Sequence, residues 1–126
     1  MNGVKFEGLI DELEKSRVEI LKGKNAMYAP ENDRLHNFNA GADILGGTPA
    51  QACWGYATKH LVALRDKVQR NDFRDLDDLK EKCIDIMNYV TFLWCIGNDE
   101  HDKLTHEAVQ AVIDELETVT LTEKEK

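Results

Sequence analysis

Residues 83–96, CIDIMNYVTFLWCI, are apolar on every face of a helix except at Asp85, Asn88 and Thr91. A helix of this kind has to be enclosed by other elements, and the periodic segments around it are helical. The expected fold is all-α, a single-domain bundle of about four helices over residues 1–126. With 126 residues the chain has room for one domain, whose core forms without disulfide or metal staples.

Phe6, Leu9, Ile10, Leu13, Arg17, Ile20 and Leu21 recur near helical spacing and predict a first helix over 5–22, ended by Gly23. Residues 24–47 mix Asn, Gly, Pro and aromatic residues without a sustained period. They read as a long functional loop between the first two main helices, with one short helix near 38–45. Thr48 and Pro49 suit the cap and first position of the next helix, which reaches about Arg70. Its expected buried stripe is Ala50, Cys53, Trp54, Ala57, Leu61, Leu64 and Val68. A further helix spans 76–96 and stops at Gly97. A polar link at 98–103 then separates it from a last helix at about 105–118, capped by Thr105 and carrying Val109, Val112, Ile113 and Leu116.

Charge narrows the function classes. Lys and Arg total 16 against 24 Asp and Glu, for a net charge of -8, which argues against non-specific nucleic-acid binding. No apolar run approaches the roughly 20 residues of a membrane span, and the first residues are charged throughout, so the expected location is the cytoplasm without membrane contact. Cys53, Cys83 and Cys95 are odd in number and form no CxxC, which suits buried reduced thiols. GxGxxG, GxxxxGK[ST] and GxSxG are absent, and Ser16 is the only serine.

Three groups of polar residues stand out of place. Asp85 and Asn88 lie within the apolar helix, where an unpartnered carboxylate or amide costs several kcal/mol, so each needs a partner: a metal, a cation or a bound ligand. Asp78, Glu81, Asp85 and Asn88 follow one another at spacings of three, four and three, which stacks them on one face. Such an array is tolerated in solvent or where Mg²⁺ neutralises it. Lys59 and His60 interrupt the apolar run of the second main helix, and no second histidine stands at zinc spacing. The predicted loop carries Lys24, Asn25, Tyr28, Asp33, Arg34, Asn37 and Phe38. Cations meet phosphates, amides read base or sugar edges, and rings stack on bases, so these residues are candidates for nucleotide binding.

The string KNAMYAPENDRLHNFNAGADILGGTPAQACWGYATKH, followed by EKCIDIMNYVTFL, resembles the bacteriophage nucleotide-modification-associated domain family over about residues 20–97. The positions that carry it are Lys24, Asn25, Tyr28, Asp33, Arg34, Asn37, Phe38, Lys59, His60, Glu81, Lys82, Asp85, Asn88 and Tyr89. The resemblance implies a phage setting, hence a host cytoplasm, and a link to nucleotide or modified-base metabolism. More distantly, the Glu81 and Asp85 helix is similar to all-α nucleoside triphosphate pyrophosphohydrolases, which hold Mg²⁺ with two acidic pairs. Here Lys82 stands where the inner glutamate of the second pair would be, and Asp11 and Glu14 only loosely replace the first pair.

Three functions follow as expectations. The first is a Mg²⁺-dependent nucleotide hydrolase, in which Glu81 and Asp85 are catalytic and hold the metal. Lys24 and Lys59 then neutralise phosphates, while Asn25, Tyr28, Asn37 and Asn88 orient the nucleoside. The second is a non-catalytic protein that sequesters a nucleotide or cyclic nucleotide, and the third an acidic inhibitor of a host protein. Phe92, Trp94 and Val112 are expected to serve a homo-oligomer, a symmetric dimer.

Overall fold

The computed structural model describes the backbone of residues 1–28 and 33–124, and the side chains of 1–23 and 33–124. It is all-helical, with α1 (Gly3–Tyr28), α2 (His36–Leu45), α3 (Pro49–Arg70) and α4 (Leu76–Lys124). The chain divides into two units, residues 1–94 and 95–126.

Local chemistry sets the helix starts. Thr48 and Gln51 form a reciprocal capping box at the head of α3: the Gln51 amide donates to Thr48 Oγ1 at 3.1 Å, and the Thr48 amide donates to Gln51 Oε1 at 2.9 Å. Pro49 follows at a position whose N–H would be unpaired in any case. Asp75 Oδ1 accepts from the Asp78 amide at 3.0 Å at the start of α4. α2 closes on Gly46 at φ 76°, a left-handed cap whose N–H reaches the Ala42 carbonyl.

Three expectations about boundaries are corrected. Gly23 does not end the first helix, which runs on to Tyr28. A single glycine costs a helix only about 1 kcal/mol, too little to stop it alone. The long loop expected between the first two main helices is accordingly reduced, because α1 takes its beginning and α2 its end. Nor does Gly97 break α4, which passes through 98–103 as helix. There Lys103 pairs with Asp99 at 3.2 Å and Glu100 at 3.4 Å, the i,i+4 and i,i+3 contacts that a helix surface favours.

Within residues 1–94 the buried apolar side chains are Phe38, Ala42, Ala52, Cys53, Ala57 and Ile84. Small residues on α3 let α2 approach it closely. A Cβ added at Gly41 would collide with the Tyr56 hydroxyl, so the Tyr56 ring keeps this position against α2 only with glycine there. Across the helices, Arg17 donates from Nη1 to Thr91 Oγ1 at 3.1 Å, and Cys53 Sγ donates to the Tyr89 carbonyl at 3.5 Å. Arg17 thus earns its place in the apolar stripe of α1 as a bridge to α4. Trp54 and Val68, expected in the core stripe of α3, are exposed instead, as is Cys95. Cys53 alone among the cysteines is fully buried, and burial pushes its thiol up to about 11, which keeps it protonated and unreactive.

Candidate functional site

Four helices contribute to one cavity of about 800 Å³ in residues 1–94. α4 presents Glu81, Asp85, Asn88, Tyr89 and Phe92, whose spacing of three and four residues puts them on one side of the helix. α3 presents Tyr56, Lys59 and His60, again one turn apart. Arg34, just ahead of α2, joins Asn37, Phe38, Gly41 and Ile44, and α1 closes the remaining side with Ile20 and Leu21. The volume is that of a small-molecule site.

The cavity is graded from mouth to floor. Arg34, Asn37, Lys59 and Glu81 are exposed, His60, Asp85, Tyr89 and Phe92 are half-buried, and Phe38 and Asn88 are buried. The rings form a connected group. Phe38 lies 5.0 Å from Phe92 and 6.1 Å from Tyr56 between centroids, Tyr89 lies 6.4 Å from Phe92, and His60 lies 5.1 Å from Tyr89. Phe92, expected at a dimer surface, is therefore part of this group. Burial, and next to it the Asp85 carboxylate, hold the Tyr89 phenol above its ordinary pKa, so it is protonated at neutral pH.

Asp85 and Asn88 have different partners. Asp85 Oδ2 lies 3.3 Å from His60 Nδ1, with both side chains about four-fifths buried. Asn88 is 7% exposed and donates from Nδ2 to the Arg17 carbonyl at 3.5 Å, while its Oδ1 is buried with no hydrogen-bond partner. Turning the amide over would set that oxygen against the carbonyl of Arg17, so the geometry leaves an acceptor, not a donor, unmet. A buried orphan acceptor costs about 1–3 kcal/mol.

The acidic array of α4 is split by its neighbours. Asp78 is held by Lys67 at 2.7 Å and Lys82 at 2.6 Å, away from the cavity, and hydrogen bonds from these two ammonium groups hold its carboxyl below the ordinary range. Lys67 is 8% exposed, a buried cation not anticipated from the sequence. No sequence signal marks it, because the pairing with Asp78 depends on how α3 lies against α4. Glu81 and Asp85 do share the cavity wall, but among the described residues no group of three His, Cys, Asp or Glu is placed to hold a metal ion. These donors do not make the multi-ion centre that the pyrophosphohydrolase resemblance implies.

Of the residues singled out from the sequence, Arg34, Asn37, Phe38, Lys59, His60, Glu81, Asp85 and Asn88 all line this cavity. Asp33 does not: its Oδ1 accepts from the Leu35 amide at 3.2 Å, and its Oδ2 lies 3.8 Å from His36. It serves the turn into α2. The side chains of Lys24, Asn25 and Tyr28 lie outside the described residues. Tyr56, Gly41 and Phe92 are additions, and the helical spacing of Tyr56 to Lys59 and of Phe92 to Asn88 was the signal for two of them. Comparison with protein-family models, with curated proteins and with solved structures finds no match.

Proposed function

We propose that this protein binds a nucleotide in the cavity between α1, α2, α3 and α4. The observation that carries the reading is the buried, unpartnered Oδ1 of Asn88, a residue that lines a cavity with four aromatic rings and two exposed cations. A nucleobase supplies the missing N–H donor to such an acceptor and a flat face to Phe38, Tyr56, Tyr89 and Phe92. Lys59 and Arg34 at the mouth suit a phosphate. The resemblance to the phage nucleotide-modification family points the same way and adds a phage setting. Sequestration without turnover is the form favoured, because the carboxylates in the cavity are two and one of them is engaged by His60.

The test is mass spectrometry of the purified protein after incubation with nucleosides, monophosphates, cyclic monophosphates and triphosphates. Stoichiometric depletion of one intact nucleotide that returns on denaturation supports binding, and no depletion rejects it. A second reading, a Mg²⁺-dependent nucleotide hydrolase, is favoured by Glu81 and Asp85 sharing one wall. Conversion of a nucleotide only with Mg²⁺ present, lost in Asp85→Asn, would replace the first reading with this one.

A further inference from the structure

The charge balance of the cavity narrows the class of ligand, resting on the reading that the ligand is a nucleotide. Among the described residues two cations line it, Arg34 and Lys59, against two carboxylates, Glu81 and Asp85. Outside the lining, Arg17 pairs with Glu14 at 2.6 Å, Lys67 and Lys82 pair with Asp78, and Lys80 pairs with Glu12 at 3.0 Å. Among the described residues these four charges sum to zero, in a protein whose net charge is -8. A polyphosphate chain entering there gains two attractions and meets two repulsions, under an unfavourable field from the whole molecule. A single phosphate at the mouth reaches Lys59 and Arg34 without filling the cavity with charge.

We propose that the ligand class is a nucleotide with one phosphate group, a nucleoside monophosphate or a cyclic mononucleotide, and that Glu81 and Asp85 act as a filter against polyphosphates. The multi-ion centre that would offset a triphosphate is not formed by the described residues. Asp85 is also the residue that positions His60. Glu81 is exposed, so it is the carboxylate that can be neutralised without touching the packing.

The experiment is isothermal titration of the full chain in EDTA with the ribonucleosides, their 5′-monophosphates, 3′,5′-cyclic monophosphates and 5′-triphosphates. The expected result is that, for the preferred base, the form with one phosphate binds at least about tenfold more tightly than the triphosphate, a ratio equal to about 1.4 kcal/mol. Glu81→Gln should narrow that ratio severalfold by strengthening triphosphate binding. Triphosphate binding in EDTA as tight as that of the monophosphate, or a ratio that Glu81→Gln leaves unmoved, overturns the filter while leaving nucleotide binding intact. Binding by no member of the panel overturns the nucleotide reading and the filter with it.

Discussion

Two stretches of α4 both carry apolar residues at helical spacing and have opposite surroundings. Residues 81–92 supply one wall of the cavity and carry the buried Ile84 and Asn88, whereas every described residue from 101 to 124 is exposed, including Val109, Val112, Ile113 and Leu116. The difference lies in what interrupts each stretch. In 81–92 the polar residues fall on the same side as aromatic rings, so the helix presents a mixed face that both packs and lines the cavity. In 101–124 charged and apolar residues alternate in an ordinary amphipathic pattern with no polar group out of place. An apolar stripe alone therefore says little about function, while a buried amide beside rings says a good deal.

The contrast can be broken most forcefully at the core. Ile84→Ala should cost about 2–5 kcal/mol in denaturant unfolding, because it opens a cavity in a packed site that is 2% exposed. A loss below about 1 kcal/mol would mean that this stretch is no better enclosed than the last one.

A second effect sharpens the account of α4 before the cavity. The carboxyl of Asp78 is held low by Lys67 and Lys82, so its contribution to stability is present above the unfolded value of about 3.9 and is lost as pH falls through the lower folded value. Asp78→Asn should therefore flatten the decline of stability between about pH 5 and pH 2. An acid limb as steep as that of the parent would show that this pair is not coupled to folding.

Asn88→Leu separates binding from packing. Removing the orphan acceptor with a side chain of similar size should leave stability unchanged or raise it by up to about 1 kcal/mol, while nucleotide affinity falls more than tenfold. Lower stability with unchanged affinity would make Asn88 a purely structural residue. The smallest effect is expected at Ile113→Ala, within about 0.5 kcal/mol for an exposed position. A cost that matches Ile84→Ala and grows with protein concentration would instead show that copies of this chain cover that face, the homo-oligomer anticipated from the sequence.

Much of this was legible in the sequence, for identifiable reasons. The Thr48–Pro49 start is read from local hydrogen-bonding chemistry, which needs no tertiary information. Asp85 and Asn88 stand out because polar groups in an apolar helix need partners whatever the fold. Lys59 and His60 stand out by the same argument, and all four line one cavity. The ends of α1 and of the stretch before residue 97 were not legible, since Gly23 and Gly97 weaken a helix without deciding whether it continues. Partner choice was equally hidden. Whether Asp78 faced a metal, solvent or a lysine depends on how α3 lies against α4, and the spacing within α4 carries no record of Lys67.

The most direct test of the central claim is an assigned amide spectrum of the full chain, titrated with the nucleotide that the binding panel selects. Saturable shifts concentrated at residues 34–41, 59–60 and 85–92, with 101–124 unmoved, are the predicted result. Absence of shifts in the first three segments, or shifts confined to 101–124, would contradict it.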